Sequence, residues 1–475
     1  MKKLGVIVVS VVAALVLGLP PVLGMITESQ VNARVESLAG NPFVAARVIS
    51  FERGWFSSTT KIELGLSPNY LVQLAALSTM RSGPAPMTAA LARGATIVVD
   101  MAHGPVPVLG GAHLGLSRMV ARLDPEVEGY AELLQRLAIP YLFEFRGRTG
   151  FTGAVAFDAD APPIDVAADD GRVRFSGAVL AGSFAGGAVR YEGRVDSLEF
   201  TSGTGAFSLQ GFSAAGDNEF RSPYLALGTI VMLIEHATML DAQFSEPMFE
   251  ATNLRLASEF ELDDGGLLAN GQWTYAIDSL AAVDMQVRDA NVGVIVRNLD
   301  VDALEAYAAV MQRTAAAALV DPSQVLADVT PAIERLLAAG PSVALDPIRF
   351  SLNNELFDAR IRLNAKPDAL PPAGALDLRD PTLWLSLLDG TAGATISKVL
   401  ARDLAIQATA LQIAGNQAVP PDQAEYMAEA QAGLVLVTLV SQGILTDGGE
   451  NYSTELAFMN GTLSINGNPL PFGLP

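Results

Sequence analysis

The chain of 475 residues carries 30 lysines and arginines against 51 aspartates and glutamates, a net charge of −21. This charge argues against binding to nucleic acid or to a bare anionic membrane surface. The absence of cysteine excludes disulfides, thiolate metal sites and cysteine nucleophiles. Because one hydrophobic core rarely exceeds about 250–300 residues, we expect two or more packed lobes or one elongated domain.

The N-terminal segment begins with Lys2 and Lys3 and continues with an uncharged, apolar run over residues 4–26. The run is long enough to span a bilayer, which takes about 20 residues. The basic flank predicts a cytoplasmic N-terminus and export of the remaining chain. The length favours a retained anchor over a cleaved signal, whose apolar region typically has about 7–15 residues. A cleaved signal segment stays open.

Residues 50–60, SFERGWFSSTT, place a tryptophan and a phenylalanine directly after Arg53 and Gly54. Polar and apolar residues alternate in the segment that follows, the period of a half-buried strand. We therefore predict a hairpin corner at which Gly54 supplies the permissive backbone. Trp55 and Phe56 are predicted to fold back as a plug on the end of the sheet, with Trp55 as an anchoring core aromatic.

Strand-like and helix-like patterns divide the rest of the chain. Strands are predicted at residues 95–101, 141–148, 150–158, 172–179, 187–200, 206–212, 251–262, 271–280, 285–296 and 348–365. Helices are predicted at residues 126–138, 301–318, 322–339, 397–407 and 421–442. The predicted fold is α+β: an N-terminal transmembrane helix, then a long curved antiparallel β-sheet, a meander, with several helices packed on one face.

The order of these patterns suggests three regions. We expect residues 1–26 to form the anchor or signal segment, residues 27–300 a β-rich exported region, and residues 301–475 a mixed region that closes the same sheet. Stretches rich in proline, aspartate and alanine at 158–171 and 365–381 are boundary candidates or surface loops.

Residue types that carry chemistry are sparse. His103, His113 and His236 lack the spacing of a metal site, and the chain has no serine in a nucleophile elbow and no dinucleotide-binding glycine loop. We therefore predict no catalytic, metal or cofactor residues and no cofactor.

Two helical segments, residues 301–320 and 428–445, are apolar over a wide arc. A core helix is the favoured interpretation, and a helix that lines a lipid-sized groove is the alternative.

Several motifs, read in order with the N-terminal segment, resemble the YdgA-like family of bacterial envelope proteins. They are RGWFSS (53–58), HGPVP (103–107), NLDVDALEAY (298–307), PSVALDPIRF (341–350) and YSTELAFMNGTLSINGNPLPF (452–472). The resemblance implies a single-span protein of the bacterial inner membrane with its bulk in the periplasm, no known catalytic residue and no assigned cofactor.

The motif residues also have a structural interpretation, as corners and closures of a sheet. Asn-Gly pairs favour tight two-residue hairpin turns, and a Gly-Pro pair suits a turn that stops strand pairing. The residues concerned are Arg53, Gly54, Trp55, Phe56, Ser57, Ser58, His103, Gly104, Pro105, Asn460, Gly461, Asn466 and Gly467.

The functional prediction is a membrane-anchored, non-enzymatic envelope protein that binds a lipid or another apolar ligand in a sheet-and-helix groove. The alternative is a structural scaffold that self-associates or binds other envelope proteins. A third hypothesis is a hydrolase whose residues are scattered along the chain. A carrier requires an exposed apolar trough, a scaffold a filled core with an exposed patch, and an enzyme a polar cleft that contains histidine and carboxylate side chains.

Overall fold

The structure is a computed structural model of the chain. It describes residues 44–67, 94–103, 115–127, 129–168, 171–222, 225–242, 247–283, 285–316, 321–417 and 421–470, with Asn32 and Val35. The predicted transmembrane segment lies outside these residues. Within them, no helix is long and apolar enough to cross a membrane.

The chain divides into two compact units. Unit 1 comprises Met1–Ser202, Gly211–Ala226 and Ala308–Val325, and unit 2 comprises Gly203–Gln210, Leu227–Tyr307 and Leu326–Pro475.

Unit 1 is built on antiparallel strands that follow one another along the chain. Its strands are β1 (Val44–Arg53), β2 (Ser57–Leu66), β3 (Ala95–His103), β4 (Ser117–Leu123), β5 (Glu144–Thr149), β6 (Val155–Ala161), β7 (Ile164–Ala168), β8 (Gly171–Phe175), β9 (Ala178–Ala185) and β10 (Ala188–Ser202). Each strand from β1 to β5 pairs with the next strand, β6 also pairs with β9, β7 pairs with β8, and β10 pairs with both β9 and β8. Helix α1 (Tyr130–Leu137) lies between β4 and β5 and begins after Gly129, whose φ of 78° is not helical.

Strands β6 to β9 form one long hairpin with an interruption in each arm. Pro162 and Pro163 separate β6 from β7, because proline cannot donate to a strand ladder. The other arm breaks at Gly177, which has a φ of 94° and whose added Cβ would lie 2.8 Å from the carbonyl oxygen of Ala161. Residues 158–168 and 171 of the predicted boundary stretch belong to these strands or to the break between β6 and β7.

Strand β11 (Gly205–Phe220) has residues in both units, and β12 (Ala226–Asp241) begins at the last residue of unit 1. The sheet of unit 2 continues with β13 (Phe249–Leu262), β14 (Leu268–Ala282), β15 (Met285–Asp300), β16 (Ser342–Leu352), β17 (Glu355–Ala365), β18 (Leu388–Ser397), β19 (Thr446–Asp447), β20 (Asn451–Met459), β21 (Thr462–Ile465) and β22 (Asn468–Pro469). Pairing is antiparallel and consecutive from β12 to β18. Strand β18 then pairs with β20, which also pairs with β19 and β21.

The remaining helices occupy three connections between strands. They are α2 (Val301–Ala316) and α3 (Pro322–Ala338), a 3-10 helix (Pro367–Ala369) with α4 (Pro381–Leu387), and α5 (Lys398–Gln417) with α6 (Pro421–Ser441). A small core forms where α3 and α4 meet the end of β17, around Leu337, Leu376 and Leu387.

The predicted α+β class, with a dominant antiparallel sheet and a few helices, is confirmed. Curvature of the sheet and the placement of helices on one face stay predictions. The predicted strand at 348–365 is wrong, because Asn353 and Asn354 adopt positive φ and form the turn between β16 and β17. Strand β12 was not predicted, since its apolar run lacks alternation.

Helix α6 differs from the predicted core helix. Ala424, Ala428 and Ala432 are buried along one side, where Ala424 and Ala428 pack with Ile413 of α5. On the other side Leu434 is 70% exposed. The core-helix prediction is therefore wrong for half of the helix surface.

Candidate functional site

The β1–β2 corner and the end of β3 bring two of the sequence motifs together. The N–H of Gly54 donates to the carbonyl oxygen of Ser57 over 2.7 Å and closes the turn. Strand β2 then pairs with β3, and the N–H of His103 donates to the carbonyl oxygen of Phe56 over 2.7 Å. This register places the Ser58 hydroxyl oxygen 2.6 Å from His103 Nε2.

The Ser58–His103 pair is almost completely removed from solvent. Ser58 is 2% and His103 1% exposed. Burial lowers the pKa of His103, because the charged ring would lose its hydration. His103 is therefore neutral at pH 7, and its Nδ1 atom has no hydrogen-bond partner within the described residues.

A serine within hydrogen-bond reach of a histidine is one element of nucleophilic catalysis. Such a site also needs access for the substrate and a group that orients the base. Ser58 and His103 are buried, and no carboxylate contacts Nδ1 in the described part of the chain. The geometry instead suits a structural role, in which the Ser58–His103 hydrogen bond fixes the β1–β2 corner to β3. We call this hydrogen bond the latch.

The predicted hairpin corner is confirmed, since Arg53 and Ser58 are register partners across the turn. The predicted plug is wrong. Trp55 is 58% exposed and Phe56 is also exposed, whereas Ser58, Thr60 and Met101 occupy the buried positions. Strand alternation directs Ser58 and Thr60 to the buried face, and the turn carries the aromatic pair outward.

The other predicted residues near this motif are only partly described. Gly104, Pro105 and His113 lie outside the described residues. His236 lies inside β12, opposite Thr252, and not at a strand end as predicted; its Nε2 is 3.6 Å from a carboxylate oxygen of Glu250. Among the described residues no group of three or more histidines and carboxylates could hold a metal ion.

Both Asn-Gly pairs form the tight turns that the sequence predicts. Asn460 and Gly461 connect β20 to β21, and Asn466 and Gly467 connect β21 to β22, all with positive φ as a type I′ turn requires. The Asn466 side chain has an additional role. Its Nδ2 donates to the carbonyl oxygens of Gly443 and Ile444 over 2.8 and 3.1 Å, and its Oδ1 accepts from the N–H of Glu455 over 2.7 Å.

One face of the unit 2 sheet carries cross-strand rows of apolar side chains, because directly opposed residues of antiparallel strands share a face. We call them the apolar rows. The central row consists of Ile230, Ser258, Trp273, Val294, Leu345, Ile361, Ala392, Leu456 and Ile465. One row beside it consists of Met232, Leu256, Tyr275, Val292, Ile348, Ala359 and Ala394 and ends at the polar Thr454. The other consists of Phe260, Gly271, Val296, Val343, Leu363, Gly390, Phe458 and Leu463.

Many side chains of the apolar rows contact solvent. Leu363 is 45% and Ile361 39% exposed, and Met232, Tyr275 and Val343 are similarly open. The rows contain no charged side chain. The local sequence pattern does not indicate these rows, because strand register decides which residues of different strands align.

The structure thus defines a class: an α+β protein dominated by antiparallel strands, with a buried serine–histidine pair and an exposed apolar sheet face. A family model described as "Bacterial protein of unknown function (DUF945)" matches residues 1–472, so the chain belongs to this family. The resemblance to the YdgA-like family is consistent with that membership. No match to the chain is found among curated proteins or solved structures.

Proposed function

We propose that this protein is a non-enzymatic component of the bacterial envelope, anchored in the inner membrane by residues 4–26, that binds the acyl chain of a lipid along the apolar rows of unit 2. The exposure of the apolar rows carries the proposal. The chain has a net charge of −21, yet the side chains of Tyr275, Val343 and Leu363 are exposed to water. A bound apolar ligand that covers them is the simplest explanation of this exposure.

The dimensions of the central row support a lipid as the ligand. The row crosses nine strands from β12 to β21, omitting β19, which at ~4.8 Å between neighbouring strands amounts to ~38 Å. The hydrocarbon core of a bilayer, two acyl chains deep, is ~30 Å thick. The row is thus long enough for an extended acyl chain. Such a chain is hydrocarbon and needs no polar partner along its length.

The burial of Ser58 and His103 supports a non-enzymatic role, because a substrate could not reach the hydroxyl oxygen without opening the sheet corner. The alternative is a scaffold in which another envelope protein, or a second copy of this chain, covers the apolar rows. The exposure of the apolar rows favours this scaffold as well. The two functions differ in whether a lipid or a protein contacts the side chains of β17.

The apolar rows offer a matched test. Ile361 and Leu363 of β17 lie in them, whereas Arg255 and Glu259 alternate with row residues along β13 and so lie on the opposite face. The photo-crosslinker p-benzoylphenylalanine replaces Ile361 or Leu363 in the full-length chain, and Arg255 or Glu259 as controls. Bacteria that produce each variant are grown with labelled acetate, which enters acyl chains, and are then irradiated. Adducts are identified by mass spectrometry of the purified chain.

Labelled lipid adducts at positions 361 and 363, with none at 255 and 259, would support the proposal. Adducts to a protein at positions 361 and 363 would support the scaffold and would contradict lipid binding at the apolar rows. Lipid adducts of equal yield at all four positions would mean nonspecific contact with the membrane and would exclude a dedicated lipid-binding face.

A further inference from the structure

The polar face of unit 2, opposite the apolar rows, contains an open groove over β17, β18 and β20. A cavity of about 490 Å³ is lined by Asp346, Arg360, Arg362, Thr391, Glu455 and Ser464, and a neighbouring cavity of about 390 Å³ shares Arg360 and Glu455 with it. Apart from Glu455 on β20, small side chains form its floor: Thr391, Gly393 and Thr395 on β18, and Ser453 and Ala457 on either side of Glu455. The floor is therefore low beside the long arginine side chains of β17.

Two arginines of this groove are only loosely paired. Arg360 is 3.7 Å from Glu455 and Arg362 is 4.0 Å from Asp346, and within the described residues neither guanidinium makes a side-chain hydrogen bond. Arg349 behaves differently on the neighbouring strand, because its Nε donates to Asp358 over 2.6 Å and its Nη2 lies 2.5 Å from the same oxygen atom. Arg360 and Arg362 thus retain N–H donors for a ligand, whereas the corresponding donors of Arg349 are already bonded to Asp358.

We propose that Arg360 and Arg362 bind the phosphate group of a ligand in this groove. The two residues are separated by one position on β17, so their side chains leave the same face ~7 Å apart. Guanidinium groups match phosphate oxygens in a bidentate geometry. Thr391 lies directly opposite Arg362 and supplies a hydroxyl donor. The Ser464 hydroxyl, farther along the same cross-strand row, instead donates to the carbonyl oxygen of Ala457 over 3.4 Å.

Phosphate fits this set of donors better than a carboxylate. Two guanidinium groups and the Thr391 hydroxyl present more donors than the two oxygens of a carboxylate accept, whereas a phosphate monoester offers three terminal oxygens. The carboxylates of Glu455 and Asp346 are close to the arginines and repel an anion that enters the groove. Removal of the Glu455 charge therefore strengthens binding.

The phosphate can belong to a lipid headgroup or to a soluble metabolite, and both use the same arginines. Calorimetric titration of the full-length chain at low salt uses three probes: inorganic phosphate, glycerol 3-phosphate and dihexanoylphosphatidic acid. The variants are Arg360→Gln/Arg362→Gln and Glu455→Gln. Arg349→Gln is the control, because its guanidinium is already paired with Asp358.

The double variant is expected to lose at least about tenfold in affinity for any phosphate probe that binds, whereas Arg349→Gln stays within about twofold of the wild type. Glu455→Gln is expected to bind several-fold more tightly, a gain that misfolding would not produce. Binding of the phosphatidic acid alone identifies a lipid headgroup, and binding of glycerol 3-phosphate with similar affinity identifies a soluble ligand. No binding of any probe to the wild type or to Glu455→Gln, or equal binding by the double variant, overturns the proposal.

This site does not depend on lipid binding at the apolar rows, since the two surfaces are opposite faces of β17. Loss of lipid adducts at positions 361 and 363 would leave the phosphate result unchanged, and the reverse also holds.

Discussion

The hydroxyl oxygen of Ser58 and Nε2 of His103 lie 2.6 Å apart in a buried position, although 45 residues separate them along the chain. Each belongs to a different sequence motif, and the β2–β3 register aligns the two. Their hydrogen bond joins the corner of the β1–β2 hairpin to the last residue of β3.

Removal of the Ser58 hydroxyl leaves both ring nitrogens of His103 buried without a partner. We expect Ser58→Ala to lower the free energy of unfolding by about 1–3 kcal/mol, measured by urea denaturation of the full-length chain. Ser57→Ala is the control, because Ser57 is less buried, and we expect a change within about 0.5 kcal/mol. Equal effects of the two substitutions would contradict the latch.

Acid should weaken the same corner. Burial holds the pKa of His103 below its ordinary value of 6.5, so the unfolded chain binds the proton more tightly than the folded chain. The contribution of neutral His103 to stability is therefore constant above pH 6.5 and is lost as the pH falls below it.

The variant His103→Gln isolates this contribution. We expect the stability difference between the wild type and this variant to shrink from about pH 7.5 to about pH 5, measured by chemical denaturation. His236→Gln is the control, because the side chain of His236 is 33% exposed. If the stability difference between the wild type and this variant shrinks by a similar amount, the effect is not specific to the buried ring.

The exposed corner aromatic should matter little for folding. Because Trp55 is mostly in solvent, we expect Trp55→Ala to change the free energy of unfolding by no more than about 0.5 kcal/mol. Met101→Ala, at a buried position of the same corner, should cost about 2–5 kcal/mol. Thermal or urea unfolding of both variants checks the contrast, and a larger loss for Trp55→Ala would restore the predicted plug.

The two asparagines of the C-terminal turns should differ. Both adopt positive φ, so replacement by alanine costs about 1–2 kcal/mol at either position. Only Asn466 also bonds to Gly443, Ile444 and Glu455. We expect Asn466→Ala to destabilise the chain by about 1–3 kcal/mol more than Asn460→Ala in urea denaturation. Equal losses of unfolding free energy for the two variants would mean that Asn466 contributes only through its turn conformation.

Two glycines of unit 2 give opposite predictions. A Cβ at Gly293 would lie 2.3 Å from the carbonyl oxygen of Asp346, so Gly293→Ala requires a backbone shift and should cost about 1–3 kcal/mol or more. A Cβ at Gly433 of α6 meets nothing within 4 Å, and Gly433→Ala should stabilise the chain by about 0.5–1 kcal/mol. Differential scanning calorimetry distinguishes the two signs.

Local features were predictable from the sequence. The Arg53-Gly54 corner, both Asn-Gly turns and most long strands follow from alternation and turn residues within a few positions of one another. The break at Asn353 and Asn354 was missed, although the apolar-face residues change there from even-numbered positions at the end of β16, such as Phe350, to odd-numbered positions in β17, such as Phe357. Strand β12 was missed because it does not alternate.

The exposure of Trp55 and of Leu434 could not be predicted from the sequence. Apolar residues are usually buried, and that tendency gave the wrong environment for both. Which neighbouring elements cover a side chain depends on contacts with distant segments, and these are not encoded in the local pattern.

The sequence by itself determined the antiparallel character of the fold, its tight turns and the acidic charge, because these depend on composition and on residues close together in the chain. The tertiary structure decided the Ser58–His103 bond, the apolar rows and the groove around Arg360 and Arg362. Each of these depends on strand register, and a shift of one residue would move every side chain of a strand to the opposite face.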